Sequence, residues 1–391
     1  MRQIENKEGE MREEGVWSPS QSGSDTGMDR RDFLRLGGAG LAGAVLLGGA
    51  GGRAMAQAGP SLRSEFESAA DESNVPVDLL LAMGFVNTLW EMPPPEASDF
   101  QEGDPEGRGT YGIMQLVQNP SRNTLGRAAD LTGLSEEELK NSRAANVRGG
   151  AAVLSDIMGA SKPQDLNGWQ DAVAEYGDTD LYAVEVYEAL RSGASLTIST
   201  GESLELASHE YAKVPQVLTP RSVNQYRPAA WRPAHDGNYT NANRKEAIID
   251  LIVVHVAQGS YSGTVNWFQD RRASSSAHYV VSRKGRVAQC VRNEDIAWHA
   301  GWWKTNKKSI GIEHAGYIGN PRSFSGPMYR SSAKLSAYLS RRFNIPVDRQ
   351  HIIGHKQVPG CAGPGGGVSC HTDPGRYWNW DRYLRLVKRY K

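Results

Sequence analysis

The spacing of apolar residues changes partway along this chain, and that change constrains the fold more than any other feature. Up to about Gly193 they fall at helical intervals, as in Leu79-Leu80-Leu81-Ala82-Met83-Phe85-Val86 and Ala151-Ala152-Val153-Leu154-Ile157-Met158. Beyond about Asn243 they gather in short runs, at 247–256, 277–282, 287–291 and 309–313, with helical patterns returning at 333–343 and 380–390. The first half is therefore expected to be all-α, and the second an α/β unit with a mixed sheet flanked by helices. A chain of 391 residues fits two domains at roughly 150 residues each. The expected boundaries are a helical domain over 61–193, a linker over 194–243 and the α/β domain over 244–391. The linker is polar and holds Pro215, Pro220, Pro228 and Pro233, with room for a hairpin in which Ser195-Leu196-Thr197-Ile198 and Ser203-Leu204-Glu205-Leu206 flank Gly201.

Ahead of these lies Asp29-Arg30-Arg31-Asp32-Phe33-Leu34-Arg35, then a weakly apolar Gly/Ala-rich stretch and Ala54-Met55-Ala56. Residues 1–56 read as a leader and twin-arginine signal peptide, starting at Met1 or Met28 and cleaved near Ala56, which makes the mature protein an exported, secreted one. The stretch is short and glycine-rich beside the ~20 strongly apolar residues of a membrane span, so no stable anchor is expected. Lys+Arg and Asp+Glu both number 44, and that balance gives no reason to expect a nucleic-acid partner. Cys361 and Cys370 flank a glycine-rich loop, and an oxidising compartment would let them pair. Cys290, in an alternating run, reads as a buried small apolar residue.

Seven of the nine histidines lie beyond residue 250. His255 closes the run Ile249-Ile-Asp-Leu-Ile-Val-Val-His255, where a rigid strand can present an imidazole to a cleft. A catalytic zinc takes three N, O or S ligands and keeps one position for water. His255, His355 in Gly354-His355-Lys356, and Asp373 in His371-Thr372-Asp373-Pro374-Gly375 can supply that set.

With Ser276-Ala277-His278-Tyr279-Val280-Val281, Ala297-Trp298-His299-Ala300-Gly301 and Ser309-Ile-Gly-Ile-Glu313, these motifs resemble the zinc-dependent N-acetylmuramoyl-L-alanine amidases, which share a fold with the peptidoglycan recognition proteins. The resemblance runs from about Tyr226 to the C-terminus. It implies Zn²⁺ on His255, His355 and Asp373, Glu313 as catalytic acid/base, and His371 facing the scissile carbonyl oxygen where many relatives carry lysine. The implied reaction cuts the amide between N-acetylmuramic acid and L-alanine in peptidoglycan. Trp298 and His299 are expected to line the groove for sugar or peptide. His278 reads as structural, and His314, next to Glu313 on a strand, should point to the opposite face. The rival is a peptidoglycan recognition module without activity.

Over about Ser64 to Gly193 the chain resembles lysozyme-like, lytic transglycosylase domains, through Val75-Pro76-Val77-Asp78-Leu79-Leu80-Leu81-Ala82, Gly112-Ile113-Met114-Gln115-Leu116, Asn146-Val147-Arg148-Gly149-Gly150-Ala151 and Ala172-Val173-Ala174-Glu175-Tyr176-Gly177. At the position where that family carries a glutamic acid stands Asn87, which cannot donate a proton. Glu91 lies one turn further on, a shift of ~6 Å along a helix that spoils the acid geometry. The resemblance thus implies a non-cleaving lobe that binds glycan through Asn87, Gln115 and Tyr176, against the alternative of a bifunctional enzyme.

Overall fold

In the helical lobe, α1 (Leu62–Ser73) starts where the Ser61 hydroxyl accepts from Ser64 N and stops at Asn74, which is left-handed at φ 51°. Then α2 (Val77–Thr88) is buried on nearly every side, with Leu79, Leu80, Leu81, Ala82 and Met83 fully enclosed. Each large member contributes about 1.5–3 kcal/mol by leaving water. This is a central helix, which is why its apolar residues run consecutively instead of forming a stripe. A small sheet of β1 (Thr110–Tyr111), β2 (Leu116–Asn119) and β3 (Arg122–Asn123) follows, so the lobe expected to be all-α is a helical lobe with strands in it, each too short to show an alternating pattern. Of the helices that follow, α3 (Thr124–Thr132) and α5 (Arg143–Met158) pack on β2, α4 (Glu136–Asn141) and α6 (Gln170–Gly177) pack on α5, and α7 (Asp180–Ser192) packs on α6 and the central α2. The Ser135/Glu138 pair that opens α4 is a reciprocal capping box.

The computed structural model describes residues 60–217, 225–359 and 371–391. The expected signal peptide and the Cys361/Cys370 pair lie outside the described residues. The segment expected as a linker is built into both lobes. Its hairpin, β4 (Ala194–Thr197) and β5 (Ser203–Leu206), buries Ile198, Leu204 and Leu206 in the helical core. Further on, β6 (Ala230–Trp231) joins the large sheet, while β7 (Tyr239–Thr240) pairs with a strand of the second lobe.

That second lobe holds β8 (Leu251–Val254), α8 (Tyr261–Gln269), β9 (Tyr279–Val281), β10 (Val287–Gln289), β11 (Ile296–Ala297), α9 (Trp303–Asn306), β12 (Ser309–His314), α10 (Gly326–Arg342), β13 (Ile352–Gly354) and α11 (Trp380–Tyr390). The large sheet runs β13-β8-β12-β9-β10-β6, parallel across β13, β8, β12 and β9 and antiparallel between β9 and β10. One face, with Ile252, Val254, Ile310 and Ile312, packs on α10 and α11. On the other face Val280 and Ala288 pack beneath α8 through Tyr261, Val265 and Phe268. No described helix is long and apolar enough to cross a membrane.

Candidate metal centre

Sheet register sets the site. Val254, the last residue of β8, pairs with Ile312 on one side and with Gly354 on the other. The next residues, Glu313, His255 and His355, therefore stand at one level on three adjacent parallel strands and share a face. They occupy the carboxyl edge, where open α/β sheets place their ligand sites. His314 takes the opposite face, its Nε2 2.7 Å from Ser332 Oγ on α10. Asp373 is brought in from the C-terminal loop by two backbone ties: its Oδ2 accepts from Val256 N at 3.2 Å, and its carbonyl accepts from Lys356 N at 3.0 Å.

The result is a compact donor set. His355 Nδ1 lies 3.0 Å from Asp373 Oδ1, and His255 Nδ1 lies 3.5 Å from Asp373 Oδ2. Tetrahedral ligands at ~2.1 Å from a zinc ion sit about 3.4 Å apart, so this spacing suits one cation. His255 Nδ1, Asp373 Oδ1 and both Glu313 oxygens are buried without a hydrogen-bond partner. Such orphaned atoms are costly unless something else binds them, and a metal ion fits that role.

Proton placement behind the site agrees. Ser309 Oγ donates to Thr305 O at 2.7 Å, so toward His299 Nε2, 3.1 Å away, it accepts. His299 is fully buried, and burial first, then the neighbouring His255, holds its pKa far below the usual imidazole range. A neutral ring that donates from Nε2 must accept at Nδ1, and that atom lies 3.0 Å from His255 Nε2. His255 thus carries its proton on Nε2, which leaves the Nδ1 lone pair facing the donor set. His299, expected on the groove wall, is instead a fully buried support for His255. Gly311 makes this possible, since a Cβ there would overlap the His299 ring at 2.4 Å.

Charge is unevenly shared. Burial alone would raise the Asp373 carboxyl, but the His355 and His255 imidazoles hold it well below the usual carboxylate range. Burial raises Glu313 well above that range, helped by the Glu106 and Asp373 carboxyls. Burial, then His355, lowers His255 to about 4. His371 stacks on His355 with centroids 3.4 Å apart, and burial lowers its pKa to about 3. It is neutral at neutral pH. Trp298 is half-buried and donates from Nε1 to Thr240 Oγ1 at 2.9 Å.

The structure brings His255, His355, Asp373, Glu313 and His371 together and keeps Asn87, Gln115 and Tyr176 apart from them. Asn87 Nδ2 donates to Ile113 O at 3.3 Å, Tyr176 Oη to Met114 O at 2.8 Å and Gln115 Nε2 to Gly112 O at 3.0 Å. They line a cavity of about 90 Å³ whose other wall is Asn266 and Trp267 of α8. Ligand sites usually start near ~300 Å³. Glu91 is tied to Ser199, accepting from its N at 2.8 Å and its Oγ at 2.6 Å. Sequence reasoning missed Glu106, whose carboxylate joins His255, His355 and Asp373 within 4.8 Å. The only signal was a glycine-rich acidic loop, Gly103-Asp104-Pro105-Glu106-Gly107, in the other lobe.

A buried imidazole–carboxylate donor set at a sheet edge, with a further carboxyl of raised pKa beside it, could hold a metal ion and has the donor chemistry of hydrolytic sites on α/β folds. A family model described as N-acetylmuramoyl-L-alanine amidase matches residues 242–376. The N-acetylmuramoyl-L-alanine amidase A of Achromobacter lyticus is 30% identical over 176 residues, covering 41% of this chain and 93% of the relative. The chain belongs to the N-acetylmuramoyl-L-alanine amidase family. It is also 34% identical over 119 residues to the 1,6-anhydro-N-acetylmuramyl-L-alanine amidase AmpD of Haemophilus influenzae, covering 29% of this chain and 59% of that protein. The crystal structure of a selenomethionine AmpD derivative aligns over 44% of this chain and 99% of its own, at 23% identity and a TM-score of 0.31.

Proposed function

We propose that this protein hydrolyses the amide between N-acetylmuramic acid and L-alanine in peptidoglycan, with Zn²⁺ held by His255, His355 and Asp373. The observation that carries this reading is the orphaned donor set, in which His255 Nδ1 and Asp373 Oδ1 are buried without hydrogen bonds beside an equally orphaned Glu313. Zinc in such a site supplies a Lewis acid for the scissile carbonyl and lowers the pKa of water.

This chain's own residues do the rest. Glu313 Oε1, 4.0 Å from His255 Nδ1, takes the proton of the attacking water and passes one to the departing alanine nitrogen, a task its raised pKa suits. The neutral His371 ring presents an N–H to the carbonyl oxygen as negative charge builds on it. Trp298 offers an aromatic wall for sugar or peptide. A recognition protein without activity has no use for Glu313, which favours the enzyme.

The helical lobe is proposed to leave glycan uncut, because Asn87 carries an amide where an acid is required. Any glycan contact by Asn87, Gln115 and Tyr176 then serves to hold the wall polymer near the amidase centre. Export by the twin-arginine route, with cleavage near Ala56, places the enzyme at its substrate.

The test is to digest purified peptidoglycan and label new amino termini. L-Alanine at the start of released stems is expected; new amino termini within the stem would overturn the bond assignment.

A further inference from the structure

We propose that Glu106, delivered by the helical lobe, is a fourth protein donor to the metal of the amidase centre, and that the loop carrying it is a latch that must withdraw before catalysis. The inference rests on the functional reading above and adds a regulatory device to it.

Glu106 Oε1 is 3.7 Å from His355 Nδ1, buried, and without a hydrogen-bond partner. Its carboxylate oxygen, ring nitrogens of His255 and His355 and a carboxylate oxygen of Asp373 all lie within 4.8 Å of one another. Two carboxylates held this close repel one another, and a divalent cation between them and the two imidazoles reconciles them. A catalytic zinc keeps an open position, whereas four protein ligands make the closed arrangement of structural sites. Glu106 at this centre therefore fills the place that water and substrate need.

The approach is built on both sides. Within the loop, Gln101 N donates to Gly107 O at 3.0 Å, Glu106 N to Asp104 Oδ1 at 2.8 Å, and Gly109 N to Ser98 O at 2.6 Å. Gly107 has no room for a Cβ, which would stand 2.9 Å from Gln101 N. Two residues beyond Glu106, the buried Arg108 guanidinium crosses into the α/β lobe and donates to Gln258 O at 2.9 Å. It fills a notch left by Gly259, where a Cβ would lie 1.4 Å from Arg108 Nη2. The notch and the braced loop hold Glu106 at the candidate donors in this latched arrangement, and Arg108 must leave the notch for the loop to withdraw.

The test uses the full mature chain loaded with Zn²⁺ or Co²⁺, wild type against Glu106→Ala. Metal affinity is read by competition with a chromophoric chelator, coordination by the Co²⁺ visible spectrum, and turnover by stem-peptide release. Glu106→Ala is expected to weaken metal binding by at least the roughly 10-fold seen on losing even an outer-shell partner. It should also change the Co²⁺ spectrum and raise the initial rate several-fold. Gly259→Ala, which expels Arg108 from the opposite lobe, should move spectrum and rate in the same directions and serves if Glu106→Ala fails to fold. An unchanged affinity and spectrum in both variants overturns the donor assignment. A changed spectrum with a fall in turnover at constant KM overturns the latch and makes Glu106 a catalytic carboxylate. A changed spectrum with no stem release from any form, wild type included, supports the donor assignment and overturns the amidase reading instead.

Discussion

Asn146 in the helical lobe and Glu313 in the α/β lobe are both fully buried, yet their polar atoms are used in opposite ways. The Asn146 amide oxygen accepts from Met114 N at 2.8 Å, and its nitrogen donates to Tyr111 O and Leu139 O at 3.1 and 2.9 Å. Neither Glu313 oxygen has a hydrogen-bond partner. A buried polar group that is fully paired holds a fold together, while one left unpaired costs stability and is kept for chemistry. The same contrast separates Asn87 and Tyr176, bonded to carbonyls of their own lobe, from His255 Nδ1 and Asp373 Oδ1, which are buried without a hydrogen bond.

If the contrast is right, substitutions in the two lobes should fail differently. Glu313→Gln should keep its metal, measured by elemental analysis, and lose turnover by roughly 100-fold or more, since a proton acceptor disappears and no ligand does. Equal loss of metal would make Glu313 a ligand and blur the division. Asn146→Ala should instead cost about 3 kcal/mol of unfolding free energy by stranding buried backbone groups, while turnover per folded molecule stays at the wild-type value. A fall in turnover at full folding would tie the helical lobe to the chemistry.

The smallest effect concerns pH. Glu202, in the hairpin turn, is hydrogen-bonded by the Arg143 guanidinium and by Leu62 N at 2.7 Å. The Arg143 hydrogen bond, opposed by burial and aided by Leu62 N and Thr200, lowers its pKa from 4.5 to about 2. A depressed folded pKa contributes stability that is complete above the unfolded value of 4.5 and is lost as pH falls toward 2. The pair is about a quarter exposed, at 27% and 28%, so solvent screening reduces the contribution to about 1 kcal/mol. Glu65, raised by burial, works in the other direction. Calorimetry at pH 5 and pH 3 should show the Tm gap between wild type and Glu202→Gln shrinking at the lower pH. An unchanged gap removes the pair from the ledger of what holds the hairpin to the lobe.

Much of this division was legible in the sequence, for reasons the register explains. His255, Glu313 and His355 each follow a short apolar run, and three parallel strands carry such residues to one edge. The hairpin at 194–206 was marked by its glycine turn. His299 was misplaced because a two-residue strand, Ile296–Ala297, carries too little alternation to tell buried from exposed. The stretch around Ala230–Trp231 looked like linker because its pairing partner, β10, lies almost 60 residues away. Glu106 was invisible for the same reason on a larger scale: its neighbours are His355 and Asp373, and no local pattern in a glycine-rich loop records a contact with another lobe.

The central claim is that metal held by His255, His355 and Asp373 drives amide cleavage while the helical lobe cuts nothing. Digestion of purified peptidoglycan with native, chelator-stripped and zinc-reloaded protein, followed by mass spectrometry of the soluble products, tests both halves at once. Stripping should abolish release of stem peptides, reloading should restore it, and no new reducing or anhydro glycan ends should form under any condition. Full stem release from protein verified to be zinc-free, or new glycan ends from any preparation, would contradict the account.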